Sequence, residues 1–142
     1  MKKVLKYLIS LFLVLFFEST LLPAQSQQHE LIWEKDTATA FAKAKAENKN
    51  VMLMMEATYC KWCKKMKSVT LADERVKKRV QKYILVKIRR CDKEAMKILP
   101  ESYYPAPTVF FMTPEGEIID NIIGYFEPED FLNYMDEIEE IE

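Results

Sequence analysis

Five consecutive apolar residues, from Val51 to Met55, constrain the fold of this chain most strongly. A run of this length without polar alternation is typical of a β-strand that is buried on both faces. Such strands occur in sheets that carry helices on both sides, because a sheet with one solvated face alternates apolar and polar residues. With 142 residues in all, the chain is predicted to build one α/β domain around this strand.

Helical and strand patterns alternate along the rest of the chain. A helix is predicted over Ala38 to Glu47, with Ala38, Phe41 and Ala44 facing inward. The other predicted elements are an edge strand at 31–33, helices at 60–66 and 73–82, a strand at 84–90, a short helical segment at 95–99, strands at 108–112 and 118–123, and a final helix after Pro128. This order predicts a mixed sheet with helices on both faces.

Two cysteines separated by two residues, Cys60 and Cys63, follow the buried strand and open a helix. Two sulfurs on one helical turn can close a small disulfide and reopen it. Unpaired N–H groups at a helix start stabilise a thiolate on the first cysteine, and the positive charge of Lys61 acts in the same direction. The thiolate is the attacking species in disulfide exchange, so this placement indicates a nucleophilic Cys60.

Three other uses of a cysteine pair fit this pattern less well. A zinc site needs two further ligands, and only Cys91 and His29 remain, without pair spacing. Haem attachment needs a histidine after the second cysteine, where Lys64 stands. A permanent disulfide within one helical turn would brace almost nothing. The sequence therefore predicts no metal and no cofactor.

The first 26 residues predict a cleaved export signal. A basic start precedes an apolar run from Leu8 to Phe17, and Ala24-Gln25-Ser26 supplies the small residues that a signal peptidase accepts. An uncleaved anchor is the weaker interpretation, because the run is shorter than the ~20 residues that cross a bilayer and ends at Glu18. The domain is then expected over residues 27–142, in a periplasmic or other extracytoplasmic location where disulfides persist.

Charge is unevenly distributed. The segment from Cys60 to Lys97 holds 14 Lys or Arg and four acidic residues, whereas the segment from Ile98 to Glu142 holds 12 acidic residues and no basic one. Helix faces of opposite sign that attract one another explain these blocks. The net charge of −1 gives no reason to expect nucleic-acid binding, and a chain with two glycines has no Gly-rich phosphate loop.

The chain resembles the thioredoxin superfamily, and most closely its exported thioredoxin-like members. The resemblance rests on the strand Val51–Met55, on Cys60-Lys61-Trp62-Cys63 after it, and on Ala106-Pro107-Thr108 before a later strand. It implies a thioredoxin fold, in which a central mixed sheet is flanked by helices on both faces. It further implies that Pro107 is cis and lies against the cysteines, and that its loop, Ala106 to Thr108, offers backbone hydrogen bonds to a substrate.

Three positions depart from the family's pattern. Lys61-Trp62 replaces the usual Gly-Pro, so thioredoxin's redox potential cannot be transferred to this chain. Met54 replaces a buried Asp, and Glu56 is the nearest carboxylate that can substitute, although a solvated residue at the strand end is the simpler interpretation. Cys91 stands where the family more often has an acidic residue.

Two side chains near the predicted site leave alternatives open. Trp62 either stacks on a substrate beside the disulfide or packs on the domain surface. Cys91 is either a small buried hydrophobe or a residue of the active-site edge, where parallel strands end together. Cys91 alternates in phase with Lys87 and Arg89, which favours the edge.

These patterns and the resemblance predict a thiol–disulfide oxidoreductase that acts on protein cysteines through Cys60 and Cys63. Electrons then come from or go to a partner, such as a membrane thiol donor. The family branch favours reduction, whereas the basic surroundings of Cys60 stabilise the reduced form and favour oxidation, so the direction stays open. The second hypothesis is a thioredoxin-like binding or chaperone-like module without redox turnover.

Overall fold

A computed structural model describes residues 30–141 of the chain. The predicted export signal, 1–26, and His29 lie outside the described residues. In chain order the elements are β1 (Trp33–Glu34), α1 (Thr37–Glu47), β2 (Val51–Glu56), α2 (Lys61–Lys65) with a π-helical turn (Met66–Thr70), α3 (Glu74–Val80), β3 (Ile84–Arg89), α4 (Lys93–Met96), β4 (Thr108–Met112), β5 (Ile118–Ile123) and α5 (Pro128–Glu139).

The five strands form one mixed sheet in the order β1-β3-β2-β4-β5. Strands β1, β3 and β2 are parallel, whereas β4 pairs antiparallel with both β2 and β5. Because β2 and β3 are parallel, their carboxyl ends lie on the same side of the sheet. The antiparallel strand β4 begins on that side. The predicted mixed sheet is confirmed, and its central strand leads directly to the cysteine pair.

The core lies on both faces of this sheet, because β2 is buried on both. All five residues from Val51 to Met55 are fully buried. On one face, Met52 and Met54 pack with residues of α2, α3 and α5. On the other face, Leu53 and Met55 pack with residues of α1. Helices therefore cover both faces, which confirms the predicted α/β thioredoxin architecture.

The inward face of α1 differs from the prediction at one position. The helix buries Ala40, Phe41 and Ala44, whereas Ala38 is exposed. At 3.6 residues per turn, Ala38 lies about 110° from the centre of the buried stripe. Asp36 caps this helix, since its Oδ1 accepts the Thr39 N–H at 2.7 Å.

The helix after the cysteine pair also differs from the prediction. It continues past Met66 as a wider π-helical turn to Thr70, whose hydroxyl donates to the Phe126 carbonyl. π-Helical turns are rare and are often found at functional sites. In the part of the chain that the structure describes, no helix has the length and apolar character needed to span a membrane.

Candidate active site

The two predicted site cysteines are joined in a disulfide at the start of α2. The Sγ atoms of Cys60 and Cys63 are 2.09 Å apart, and the Cα atoms are 5.2 Å apart. Cys60 is the N-terminal capping residue of α2, and its Sγ accepts the Cys63 N–H at 3.0 Å. The same N–H is in place to stabilise negative charge on Cys60 when the bond is reduced. Cys60 is half-buried, whereas Cys63 is only 3% exposed.

The turn from β2 into α2 contains a backbone conformation that bulky residues rarely adopt. Tyr59 has a φ of +56°, in the left-handed region, and its side chain is 97% exposed. A residue in this conformation reverses the chain so that Cys60 can begin the helix. Backbone strain of this kind clusters at functional sites because the surrounding structure must maintain it. Sequence reasoning missed Tyr59, although it directly precedes Cys60.

The Ala106–Pro107 loop lies against the cysteine pair, and its peptide bond is cis. The carbonyl oxygen of Ala106 is 3.6 Å from Cys60 Sγ. Two hydrogen bonds anchor the loop: the Thr108 hydroxyl donates to the Pro105 carbonyl at 2.6 Å, and the Gly124 N–H donates to the Pro107 carbonyl at 2.8 Å. The loop thus holds a backbone acceptor beside the half-buried sulfur.

Glu56 is not the solvated residue that the simpler interpretation expected. Its side chain is 17% exposed, and its Oε1 lies 2.7 Å from Lys67 Nζ. Lys67 belongs to the π-helical turn, which brings the ammonium group over the end of β2. Met54 is fully buried and belongs to the same apolar cluster as Cys63, so a thioether occupies the position of the family's Asp.

Trp62 packs on the domain surface and also stays open to solvent. Its ring stacks on Tyr125 with the centroids 5.6 Å apart, yet 46% of the residue is exposed. Lys61 Nζ lies 4.9 Å from the centre of the Trp62 ring. Lys65 Nζ lies 4.2 Å from the Tyr125 ring and 3.1 Å from Glu127 Oε1, and this carboxylate raises the pKa of Lys65. Trp62 is therefore held in one orientation with part of its ring accessible.

Several residues around the site were missed by sequence reasoning. Tyr125 and Glu127 are more than sixty positions from Trp62, and the sequence marked their segment only by Gly124 and Pro128, which precede the last helix. Arg90 was missed as well: its Nη1 donates to the Tyr103 hydroxyl at 3.1 Å and to the Tyr104 carbonyl at 3.3 Å. No spacing pattern in the sequence connects Trp62 with Tyr125, or Arg90 with the two tyrosines, because these residues meet only after folding.

Cys91 is exposed and not disulfide-bonded, so its alternative as a buried hydrophobe is wrong. It follows β3, whose end is joined to β2 by a hydrogen bond from the Arg90 N–H to the Glu56 carbonyl at 2.8 Å. Cys91 therefore comes just after the end of the sheet at which both β2 and β3 end. Residues 30–141 contain no group of three or more His, Cys, Asp or Glu side chains that could hold a metal ion.

We predict that the two thiols of the reduced protein react unequally with iodoacetamide near neutral pH. Cys60 should be alkylated before Cys63, because Cys63 is nearly inaccessible and Cys60 is half-buried. Peptide mapping by mass spectrometry at short reaction times measures both, and the exposed Cys91 serves as an internal reference. Equal labelling of Cys60 and Cys63 would contradict the assigned asymmetry.

Comparisons with known proteins agree with this geometry. A thioredoxin-like family model matches residues 32–114. The thiol:disulfide interchange protein DsbD of Vibrio cholerae serotype O1 is 30% identical over 104 residues, which are 68% of this chain and 17% of that protein. The chain therefore spans about a sixth of this relative's length.

Two solved structures share the fold. A thioredoxin from Thermus thermophilus superposes with a TM-score of 0.64 at 20% identity, covering 76% of this chain and 86% of the thioredoxin. The oxidised C-terminal domain of DsbD from Neisseria meningitidis superposes with a TM-score of 0.57 at 21% identity, covering 70% of this chain and 90% of that domain.

Proposed function

Because this chain belongs to the thioredoxin-like family, we propose that it is a thiol–disulfide oxidoreductase acting on protein cysteines through Cys60 and Cys63. The observation that supports this most is the placement of the Cys60–Cys63 disulfide. Its first residue, Cys60, is half-buried, and the Sγ atom of Cys60 accepts a backbone N–H and lies beside the Ala106 carbonyl. These contacts suit a bond that opens and closes in contact with another polypeptide.

The proposed reaction consists of two exchange steps. In the reduced protein, the Cys60 thiolate attacks a substrate disulfide, a Cys60–substrate bond forms, and the other substrate sulfur leaves as a thiolate. Cys63 then attacks Cys60 Sγ, which closes the Cys60–Cys63 disulfide and releases the second substrate thiol. Two electrons pass to the substrate, and the reverse sequence oxidises a substrate dithiol. The proposed role of the loop from Ala106 to Thr108 is to hold the substrate backbone during both steps.

The proposed location is outside the cytosol, in a periplasmic or other extracytoplasmic compartment. It is supported by the export signal that the sequence predicts over residues 1–26, and by the Cys60–Cys63 disulfide, since disulfides persist outside the cytosol. The electrons of each cycle come from or go to a partner with a dithiol or disulfide, such as a membrane thiol donor. The domain proposed for this exchange covers residues 27–142.

Reduction of insulin with dithiothreitol as electron donor tests the proposed activity. The wild-type protein should accelerate the appearance of insulin turbidity, whereas Cys60→Ser should not. If wild type and Cys60→Ser bind a substrate protein equally and neither accelerates exchange, the chain is a binding module and the proposed function is wrong.

The reduction potential of the cysteine pair sets the direction. Equilibration with glutathione buffers, followed by thiol trapping, measures it directly. A reduction potential of about −270 mV, as in thioredoxin, would make the protein a reductant. A potential of about −120 mV would make it an oxidant. The potential cannot be carried over from thioredoxin, because Lys61-Trp62 stands between the cysteines.

We predict that Cys91→Ser keeps at least half of the exchange activity. Cys91 is exposed and lies outside the Cys60–Cys63 pair, so neither exchange step uses its sulfur. The insulin assay gives the rate, and a thermal melt shows whether the variant is folded. A folded Cys91→Ser protein without activity would make Cys91 a third redox residue and contradict this prediction.

A further inference from the structure

A cleft of about 440 Å³ is lined in part by Tyr103 and Tyr104, which in the chain precede the loop that faces the disulfide. It is formed by the end of β3, by α4 and by the segment that runs into the Ala106–Pro107 loop. Its walls include Arg90, Lys93, Met96, Leu99, Tyr103 and Tyr104. The two exchange steps use none of these side chains.

The cleft is positively charged, and two of its cations have no acidic partner within residues 30–141. Three basic residues and one carboxylate, Glu101, line it. Lys97 is paired with Glu94 at 2.7 Å. Arg90 and Lys93 form no ion pair among the residues that the structure describes, whereas ten of the eighteen basic side chains in that part of the chain do. Two cations are thus left available for an external anion.

The guanidinium of Arg90 is already oriented. Its Nη1 donates to the Tyr103 hydroxyl and to the Tyr104 carbonyl, and its Cζ lies 5.2 Å from the centre of the Tyr103 ring. A guanidinium carries five N–H donors in a planar fork that matches a carboxylate, so donors remain for a ligand. Exposed Tyr103 adds an aromatic wall to the same opening.

The cleft lies within reach of a polypeptide bound at the reactive sulfur. Tyr104, whose carbonyl Arg90 contacts, is two residues before Ala106, and the Ala106 oxygen is 3.6 Å from Cys60 Sγ. Two residues of chain span about 7 Å at most, and an extended substrate peptide covers a similar length for every two residues. A side chain within about five residues of a substrate cysteine at Cys60 can therefore enter the cleft.

We propose that this cleft binds an acidic segment of the protein substrate, with an Asp or Glu side chain on Arg90 and Lys93, while the substrate cysteine reacts at Cys60. The proposal rests on the proposed function and adds a substrate class to it. Cysteines with acidic flanking residues are the preferred substrates, because the opposite charge of the cleft favours their encounter and orientation.

Two chromogenic peptides of equal length test this proposal. Each carries one cysteine as a mixed disulfide with thionitrobenzoate; one has three Glu residues within five positions of that cysteine, and the other has Gln at the same positions. With Cys91 replaced by Ser in every protein compared, so that this exposed thiol does not react, the reduced protein should react about fivefold faster with the Glu peptide at low ionic strength. Arg90→Gln/Lys93→Gln should lower the ratio of the Glu-peptide rate to the Gln-peptide rate to about one.

A matched control separates the cleft from overall charge. Lys45→Gln/Lys78→Gln makes the same charge change at two exposed lysines on α1 and α3, and it should keep the preference. Lys93→Gln alone, which spares the loop contacts of Arg90, should remove part of it. The proposal is wrong if wild type reacts equally with both peptides, or if Arg90→Gln/Lys93→Gln keeps the preference. Reaction with neither peptide would contradict the proposed function itself, and this proposal with it.

Discussion

Replacing Cys60 by serine should reduce the rate of disulfide exchange by more than about a thousandfold. A serine hydroxyl is not ionised at neutral pH and cannot form the disulfide on which both exchange steps depend. The rate is measured by insulin reduction, because the exposed Cys91 would itself release thionitrobenzoate from a chromogenic disulfide. Cys91→Ser is the matched control, since it makes the same chemical change at an exposed cysteine outside the pair.

Cys63→Ser should behave differently from Cys60→Ser. With Cys60 intact, the first step proceeds and the second cannot, so a substrate protein should remain covalently attached to Cys60. Mass spectrometry of the complex under non-reducing conditions detects this species, and dithiothreitol should release it. Accumulation of the complex with Cys60→Ser instead of Cys63→Ser would reverse the assigned roles.

Phe111→Ala should lower the free energy of unfolding by about 3–5 kcal/mol, without touching the disulfide. Phe111 lies on β4, is fully buried and packs edge-on against Tyr83 with the ring centroids 5.2 Å apart. Truncation removes the buried ring and leaves a cavity among β2, β4 and the helices on that face. Urea unfolding followed by circular dichroism measures the loss.

The control for Phe111→Ala is Ile123→Ala on the neighbouring strand β5. Ile123 is 53% exposed, so its truncation removes little buried surface and should cost less than about 1 kcal/mol. Both variants keep Cys60 and Cys63. Similar losses in the two variants would show that β4 is not part of the principal core, contrary to its complete burial.

The sequence predicts well those features that depend on consecutive residues. The apolar run of β2, the cysteine pair at the following helix start and the strand after Pro107 all appear where they were expected. Side-chain periodicity in a strand or a helix, and the hydrogen bonds of a helical turn, involve residues that are close in the chain, so a local pattern contains the information. Ala38 was wrongly predicted to face inward because the helix contains many alanines, and small residues of this kind do not define clearly which face is buried.

Residues far apart in the chain are brought together only by the tertiary structure. Sequence alone predicted an α/β domain and predicted that Cys60 and Cys63 are the reactive pair. It could not pair Trp62 with Tyr125, or Arg90 with the segment before Ala106, because nothing in their spacing encodes the contact. Those partners meet because parallel strands end at one edge and β4 returns antiparallel beside β2. The charge and shape around the disulfide therefore depend on strand order, which is set by packing of the whole chain.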